Sequence, residues 1–452
     1  MYNVSFPRLR VPYESSVANA SEPASIINWG LYFTLIEMSA QDSKINHARG
    51  TISSAPMKAT NRALSIEYAI RDILLPAREL EKQGIDVIKL HIGDPNKWDF
   101  RTPKHVRNAL CRAVELNDNG YAESEGDVEL RRAILDKEKK KNGIDEELDN
   151  CIITNGVTEA IQMVTAATIS QGDEALVPCP GYPSYNEFIK FFGGDPVPYV
   201  ANEEHNWEPD IDDLRKKISP KTKYIVIINP NNPTGSLYSK KALQDIVDLA
   251  GEHNLFLISD EIYDLMTFDG DHYSPVSLSS DIPVILFNGF SKVDLLPGWR
   301  LGYAVFRDPE GKLSEIKEGV MKQLRLRLSA NNPCQMAVIE ALKGPQDHLD
   351  ETNQKLLERR DFICRRINSI PGLSTVKPRG AFYIFPRVES KKWKNDKQFV
   401  LDILNNAHVL LVPGSGFGTI NMGLHFRAVF LPPIPVLQEA FDSIEDYMSK
   451  VA

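Results

Sequence analysis

The sequence predicts a doubly wound α/β fold with a mostly parallel sheet and a smaller α+β domain, on three observations. Between about residues 104 and 340, helical periods alternate with the short apolar runs CIITNG, EALVPCP, YIVIINP, LFLISD, PVILFNGF and LGYAVF. Polar residues cluster directly after these runs: Asn155, Tyr182, Asn232, Asp260 and Lys292. Beyond about 345 the alternation stops, and a long polar helix, two strand candidates and an amphipathic helix follow. Open α/β sheets bind ligands past the carboxyl ends of their strands, so the second observation marks a site before any chemistry is assigned.

Taken in order, residues 1–56 mix Ser, Asn, Ala and Pro without sustained periodicity and read as an appendage outside the core, with Met57 a candidate start of the working protein. Residues 57–103 read as an N-terminal arm and part of the small domain. They hold a helical pattern through Ala63, Ile66, Ile70, Ile73, Leu74 and Ala77, then an extended segment from Val87 to Ile92. Residues 104–340 form the large domain. Within it, Lys139, Lys140 and Lys141 sit in LDKEKKKNG, which reads as a solvated helix end. Residues 341–452 form the C-terminal small domain, from the helix HLDETNQKLLERRDFICRRI through the strand candidates GAFYIFP and HFRAVFLP.

Composition narrows the function classes. At 452 residues, with 42% hydrophobic and 25% charged, the chain has globular usage and length for more than one domain. Its 52 Lys and Arg against 61 Asp and Glu leave a net charge of −9, and no basic run exceeds three lysines, so nucleic acid is a poor partner. The five cysteines are odd in number and widely spaced, without zinc-ligand spacing, which argues for a reducing cytoplasm and no metal. The apolar stretch from Ile26 to Ile36 is broken by Asn28 and Gly30 and falls short of the roughly 20 residues that span a bilayer, so neither membrane insertion nor secretion is expected.

Individual residues then suggest chemistry. Lys292, in NGFSK after the strand PVILF, is placed to be partly desolvated, which turns a lysine amine into a nucleophile and base; alone, such a lysine is usually a surface charge. Asp260 ends LFLISD ahead of Glu261, Ile262 and Tyr263; its carboxylate suits either a protonated heterocyclic nitrogen or a helix N-cap. The run NPNNPTG, residues 229–235, is fixed into a rigid turn by two prolines and a glycine. ITNGVTEAI joins a strand to a helix opening at Gly156, Val157 and Thr158, an arrangement suited to phosphate and equally to an ordinary helix start.

Together, NPNNPTG, SDEIY and SKVDLLPGWRLGY resemble the pyridoxal-phosphate-dependent class I aminotransferases of fold type I. The resemblance runs from Met57 to the C-terminus, and residues 58–100 with HFRAVFLPPI are most similar to the alanine aminotransferases of archaea. It implies that Lys292 holds pyridoxal 5'-phosphate and shuttles the proton at the substrate α-carbon, with Asp260 facing the pyridine nitrogen. Asn232 and Tyr263 would bond the phenolic oxygen, and Tyr182 would lie against the ring. Gly156, Val157, Thr158, Ser291 and Arg300 would take the phosphate, joined by Tyr121 from the neighbouring subunit of a homodimer with shared sites. Arg427 would grip the substrate carboxylate, with Asn232 also binding substrate and Gly93 allowing close backbone approach. Asp294 and Leu424 depart from the family pattern, standing where relatives often carry an aromatic residue and a glycine, and the loop GFGTINMG is slightly longer.

The expected activity is amino-group exchange between an L-amino acid, alanine favoured, and 2-oxoglutarate. Alternatives are aspartate or broad specificity, or a C–S lyase of the same fold. A ligand-sensing regulator is disfavoured because residues 1–56 show neither a helix-turn-helix pattern nor a basic patch.

Overall fold

The computed structural model describes residues 57–418 and 422–451. The chain divides into units of residues 1–58 and 59–452, and every element named below belongs to the second. The expected appendage 1–56 and the part of the GFGTINMG loop at 419–421 lie outside the described residues.

The helical pattern expected to run from Ala63 to Ala77 is interrupted, giving Asn61–Leu64, Ala69–Asp72 and Leu74–Lys82. The first piece stops where the Ser65 hydroxyl bonds the Arg62 carbonyl, the competition with backbone that makes serine a poor helix-interior residue. The extended segment that follows is reduced to β1 (Ile88–Lys89).

Eight strands then form the central sheet: β2 (Cys151–Thr154), β3 (Glu174–Cys179), β4 (Asp195–Asn202), β5 (Glu208–Pro209), β6 (Thr222–Ile228), β7 (Phe256–Asp260), β8 (Val284–Gly289) and β9 (Gly302–Arg307). Their order is β2-β9-β8-β7-β6-β3-β4-β5. The run from β8 to β4 is parallel, and β9 is antiparallel to both its neighbours. Helices cover both faces, so the strands read as continuous apolar runs and still sort their side chains by alternation. Ile225, Ile227, Leu257, Val284 and Leu286 join one core with Leu130 and Leu243. Tyr224, Val226, Ile258, Ile285 and Phe287 join another with Ile161 and Val320.

After the helices Asn332–Lys343 and Asp347–Asn368 come β10 (Leu373–Ser374), β11 (Tyr383–Ile384), β12 (Arg387–Val388), β13 (Val409–Leu410), β14 (Val412–Pro413) and β15 (Leu424–Val429). β15 is the centre of a five-stranded sheet, pairing antiparallel with β11, β12 and β14, while β13 pairs with β1. The core beneath gathers Ile363, Phe399, Phe426 and Phe441 and continues onto Tyr263, Met266, Val293 and Leu295, residues that follow β7 and β8. The strand ends of the large sheet are therefore packed directly against the second sheet. Among the described residues no helix is long and apolar enough to cross a membrane.

One sequence expectation is corrected here. Lys139 and Lys140 are solvated, but Lys141 turns inward on the helix Val128–Asn142, 3.1 Å from the buried Asp264 carboxylate. Three consecutive helix positions span most of a turn, so a lysine run cannot keep to one face.

Candidate active site

β7 is apolar until its last residue, and this delivers the Asp260 carboxylate to the strand end only 3% exposed. Oδ2 accepts from the Tyr185 hydroxyl at 2.9 Å and Oδ1 from the Ile262 amide at 3.3 Å. Burial pushes the carboxyl up to about 6, against the pull of these two hydrogen bonds. No cationic side chain reaches it among the described residues, so it is a buried acid lacking a counter-ion.

The neighbouring strand β8 leads into Ser291 and Lys292. Lys292 Nζ donates to the Gly93 carbonyl at 2.8 Å and lies 5.5 Å from the Phe382 ring. Burial lowers the amine to about 8; Asp94 opposes this shift, while Arg427 and Arg300 reinforce it. At pH 7 about a tenth of the amine is thus unprotonated and available as a base.

Arg427 enters from β15 and is 1% exposed. Nη1 donates to Asn232 Oδ1 at 2.9 Å and Nη2 to the His91 carbonyl, while the guanidinium lies 4.6 Å from the Tyr383 ring and 4.8 Å from Phe417. Its Nε has no hydrogen-bond partner among the described residues, a donor held in reserve in a buried site. Gly93 is required here by space: a Cβ would stand 2.2 Å from the Tyr383 hydroxyl. Tyr263 is buried, its hydroxyl 2.8 Å from that of Tyr383, and burial holds its phenol well above the ordinary range.

Gly156 caps the helix Val157–Thr168 at a φ of +78°, and a Cβ there would come within 2.5 Å of Arg300 Nη2. Arg300 itself takes a φ of +57° and donates to the Pro297 carbonyl at 3.0 Å, which holds its guanidinium over the helix start. The first-turn residues Val157 and Thr158 and the Arg300 guanidinium thereby meet at one corner. Tyr182 completes the wall, its hydroxyl 3.0 Å from that of Tyr68.

The model of the family described as aminotransferase class I and II matches residues 85–443. The chain belongs to that family. The glutamate-pyruvate aminotransferase AlaA of Escherichia coli strain K12 is 38% identical over 404 residues, 88% of this chain and 98% of that one. A solved alanine aminotransferase from Pyrococcus furiosus is 57% identical, covers 87% of this chain and all (100%) of its own, and superposes with a TM-score of 0.85. An aspartate aminotransferase from Bacillus sp. strain YM-2 is 33% identical, covering 83% of this chain and 95% of its own.

Of the positions expected for this aminotransferase, Gly93, Gly156, Val157, Thr158, Tyr182, Asn232, Asp260, Tyr263, Ser291, Lys292, Arg300 and Arg427 line the strand ends and the β15 face opposite. Tyr121 is not brought among them: it is 83% exposed, and no hydrogen bond or ring contact joins it to the others among the described residues. The Asn232 side-chain oxygen accepts from Arg427, which leaves its amide nitrogen as a donor toward the same space. Sequence reasoning missed Tyr185, Tyr383, Tyr68 and His91. Tyr185 had a signal, since PGYPSY puts it three residues after Tyr182 at the start of the helix Pro183–Phe191. Tyr383 had none, because GAFYIFP reads as an apolar strand.

Proposed function

We propose that this aminotransferase uses pyridoxal 5'-phosphate to move an amino group from L-alanine to 2-oxoglutarate, and back, in two half-reactions. The observation that carries the reading is a buried Asp260 at the end of β7, with no cationic partner among the described residues, and a lysine lowered to about 8 just past the end of the neighbouring strand β8. The residues fit the cofactor. An anionic phosphate suits the corner at Gly156 and Arg300, where a side chain in place of the glycine would close the space. A protonated ring nitrogen suits Asp260, because a buried carboxylate without a partner gains most from a cation.

When bound, the cofactor carries the amino group and draws electrons from the substrate α-carbon. Lys292 takes and returns the proton at that carbon, its lowered amine matched to neutral pH. Arg427 orients the substrate carboxylate, with Asn232 and the His91 carbonyl fixing the guanidinium plane. Asp260 keeps its charge by pairing, and Tyr185 holds the carboxylate in place. Tyr263 stays protonated and donates.

The alanine assignment is supported by the alanine and glutamate-pyruvate names of the relatives, and aspartate by the more distant Bacillus protein. A homodimer is supported by apolar Leu116, Tyr121, Leu326 and Leu328, all exposed on segments joined by the Asn332 bond to the Asp118 carbonyl. In it Tyr121 would serve the partner's site. A cytoplasmic location fits an enzyme of amino-acid metabolism.

The test is the visible spectrum of the reconstituted protein. L-Alanine should abolish the band of the lysine-bound cofactor and 2-oxoglutarate should restore it. Conversion with aspartate and not alanine would move the substrate; pyruvate release from a cysteine conjugate without a keto acid would indicate the lyase instead.

A further inference from the structure

Against the helix Val128–Asn142 lies a cluster of buried charges that the chemistry above does not use. Lys137 Nζ is 3.0 Å from Asp264 Oδ2, 3.1 Å from Glu138 Oε1 and 3.0 Å from the Tyr303 hydroxyl. Lys141, one turn later, approaches Asp264 Oδ2 at 3.1 Å and Glu261 Oε2 at 3.8 Å. Asn288 donates to the same Asp264 oxygen at 2.9 Å, and Ser259 and Ser274 donate to Glu261 Oε1. The Glu138, Glu261 and Asp264 side chains are no more than 1% exposed.

Glu261 and Asp264 come from the segment that carries Asp260 and Tyr263. Its backbone is tied by Glu261 N to the Phe287 carbonyl at 2.8 Å and by Asp264 N to the Glu261 carbonyl at 3.0 Å. From this one turn Asp260 and Tyr263 reach Tyr185 and Tyr383, while Glu261 and Asp264 reach the helix lysines. His272 extends the same network to the first residue of NPNNPTG, its Nε2 lying 3.6 Å from Glu261 Oε2 and 3.1 Å from the Asn229 carbonyl. A buried carboxylate stays ionised and fixed only when cations and donors surround it, and losing one partner leaves a large penalty.

We propose that Lys137 and Lys141 are positioning residues of this active site, holding Asp264 and Glu261 so that the turn presents Asp260 and Tyr263 to the cofactor. The inference rests on the function proposed above. Burial alone would raise the Asp264 carboxyl, yet Lys137 and Lys141 bring it well below the usual carboxylate range, in keeping with a charged clamp.

The test uses the full chain loaded with pyridoxal 5'-phosphate. Lys137→Met should lower kcat at least 10-fold and speed cofactor loss on dilution at least 10-fold, with KM for alanine, set by Arg427, moving less than threefold. Lys137→Arg, which restores the cation, should recover kcat to within threefold. If Lys137→Met does not fold, Lys141→Met is read by the same kcat, KM and dissociation measurements. A folded methionine variant with kcat and cofactor retention within twofold of the parent overturns the proposal. So does Lys137→Arg losing as much as Lys137→Met at unchanged thermal midpoint. A parent protein without a cofactor band fails the functional reading first, and is recognised before any substitution is made.

Discussion

Asp260 and Asp264 stand four residues apart on one turn, both buried, and their surroundings drive them in opposite directions. Asp260 meets a tyrosine hydroxyl and one backbone amide, and burial pushes it up to about 6. Asp264 is equally enclosed, but two lysines outweigh its burial and hold it well below the ordinary range. Depth is therefore not what separates a site residue from a scaffold residue here. The counter-ion is what separates them: Asp264 has two lysines, and Asp260 has none among the described residues, so a ligand bringing a positive charge would gain most there.

Substitutions sharpen this contrast, starting with the group that works opposite the open acid. Lys292→Ala should lower turnover by at least the roughly 100-fold to 10,000-fold typical of a lost general base, read as single-turnover rates with the thermal midpoint unchanged. Near-normal rates would break the assignment. Asp260→Asn should lower kcat by about 100-fold to 1,000-fold, the scale for losing one preorganised electrostatic contact. Asp264→Asn should instead appear in urea unfolding, costing about 3 to 5 kcal/mol by removing the buried carboxylate that Lys137 and Lys141 share. If the two asparagine variants gave the same pattern, the distinction between open and closed acids would fall.

The pH dependence has a definite sign. Asp260 rises in the folded protein from 3.8 to about 6, so in the cofactor-free enzyme its contribution to stability is full below pH 4 and is lost as pH rises through about 6. The loss amounts to roughly 3 kcal/mol by the pH-linkage relation. Glu261, raised to about 7 by burial, acts in the same direction, so the difference between the parent and Asp260→Asn isolates the Asp260 part. That difference should grow between pH 4 and 6 in favour of the variant, measured by urea titration; a flat difference would show that Asp260 is not desolvated. The smallest effect is expected from Tyr185→Phe. It removes one hydrogen bond worth about 1 kcal/mol and lets the Asp260 carboxyl rise further, which should shift the acid limb of cofactor binding upward.

The sequence disclosed the chain-local parts of this picture. Each of the six apolar runs became a strand because strands buried on both faces need no polar alternation, and the strand-end residues Asp260 and Lys292 were visible for the same reason. Tyr383 and His91 were not, since they meet their partners across 120 and 336 residues, separations that no local pattern records. Lys141 was misread because a charge run looks alike whether its helix faces water or a buried acid; only the packing of that helix on the sheet decides. Asp294, an oddity in the sequence, proves 7% exposed and is raised to about 7 by burial, with Lys137 opposing the shift.

The core under β15 also contains Tyr263, Met266, Val293 and Leu295, so the walls of the site and the C-terminal helices share one set of apolar contacts. Regions bound by a common core open together rather than separately. Amide protons around Tyr263 and Val293 should then exchange with the same opening free energy as those of the helix Ile434–Val451. A destabilising change at Phe441, remote from the reacting atoms, would be felt as reduced occupancy of the competent site.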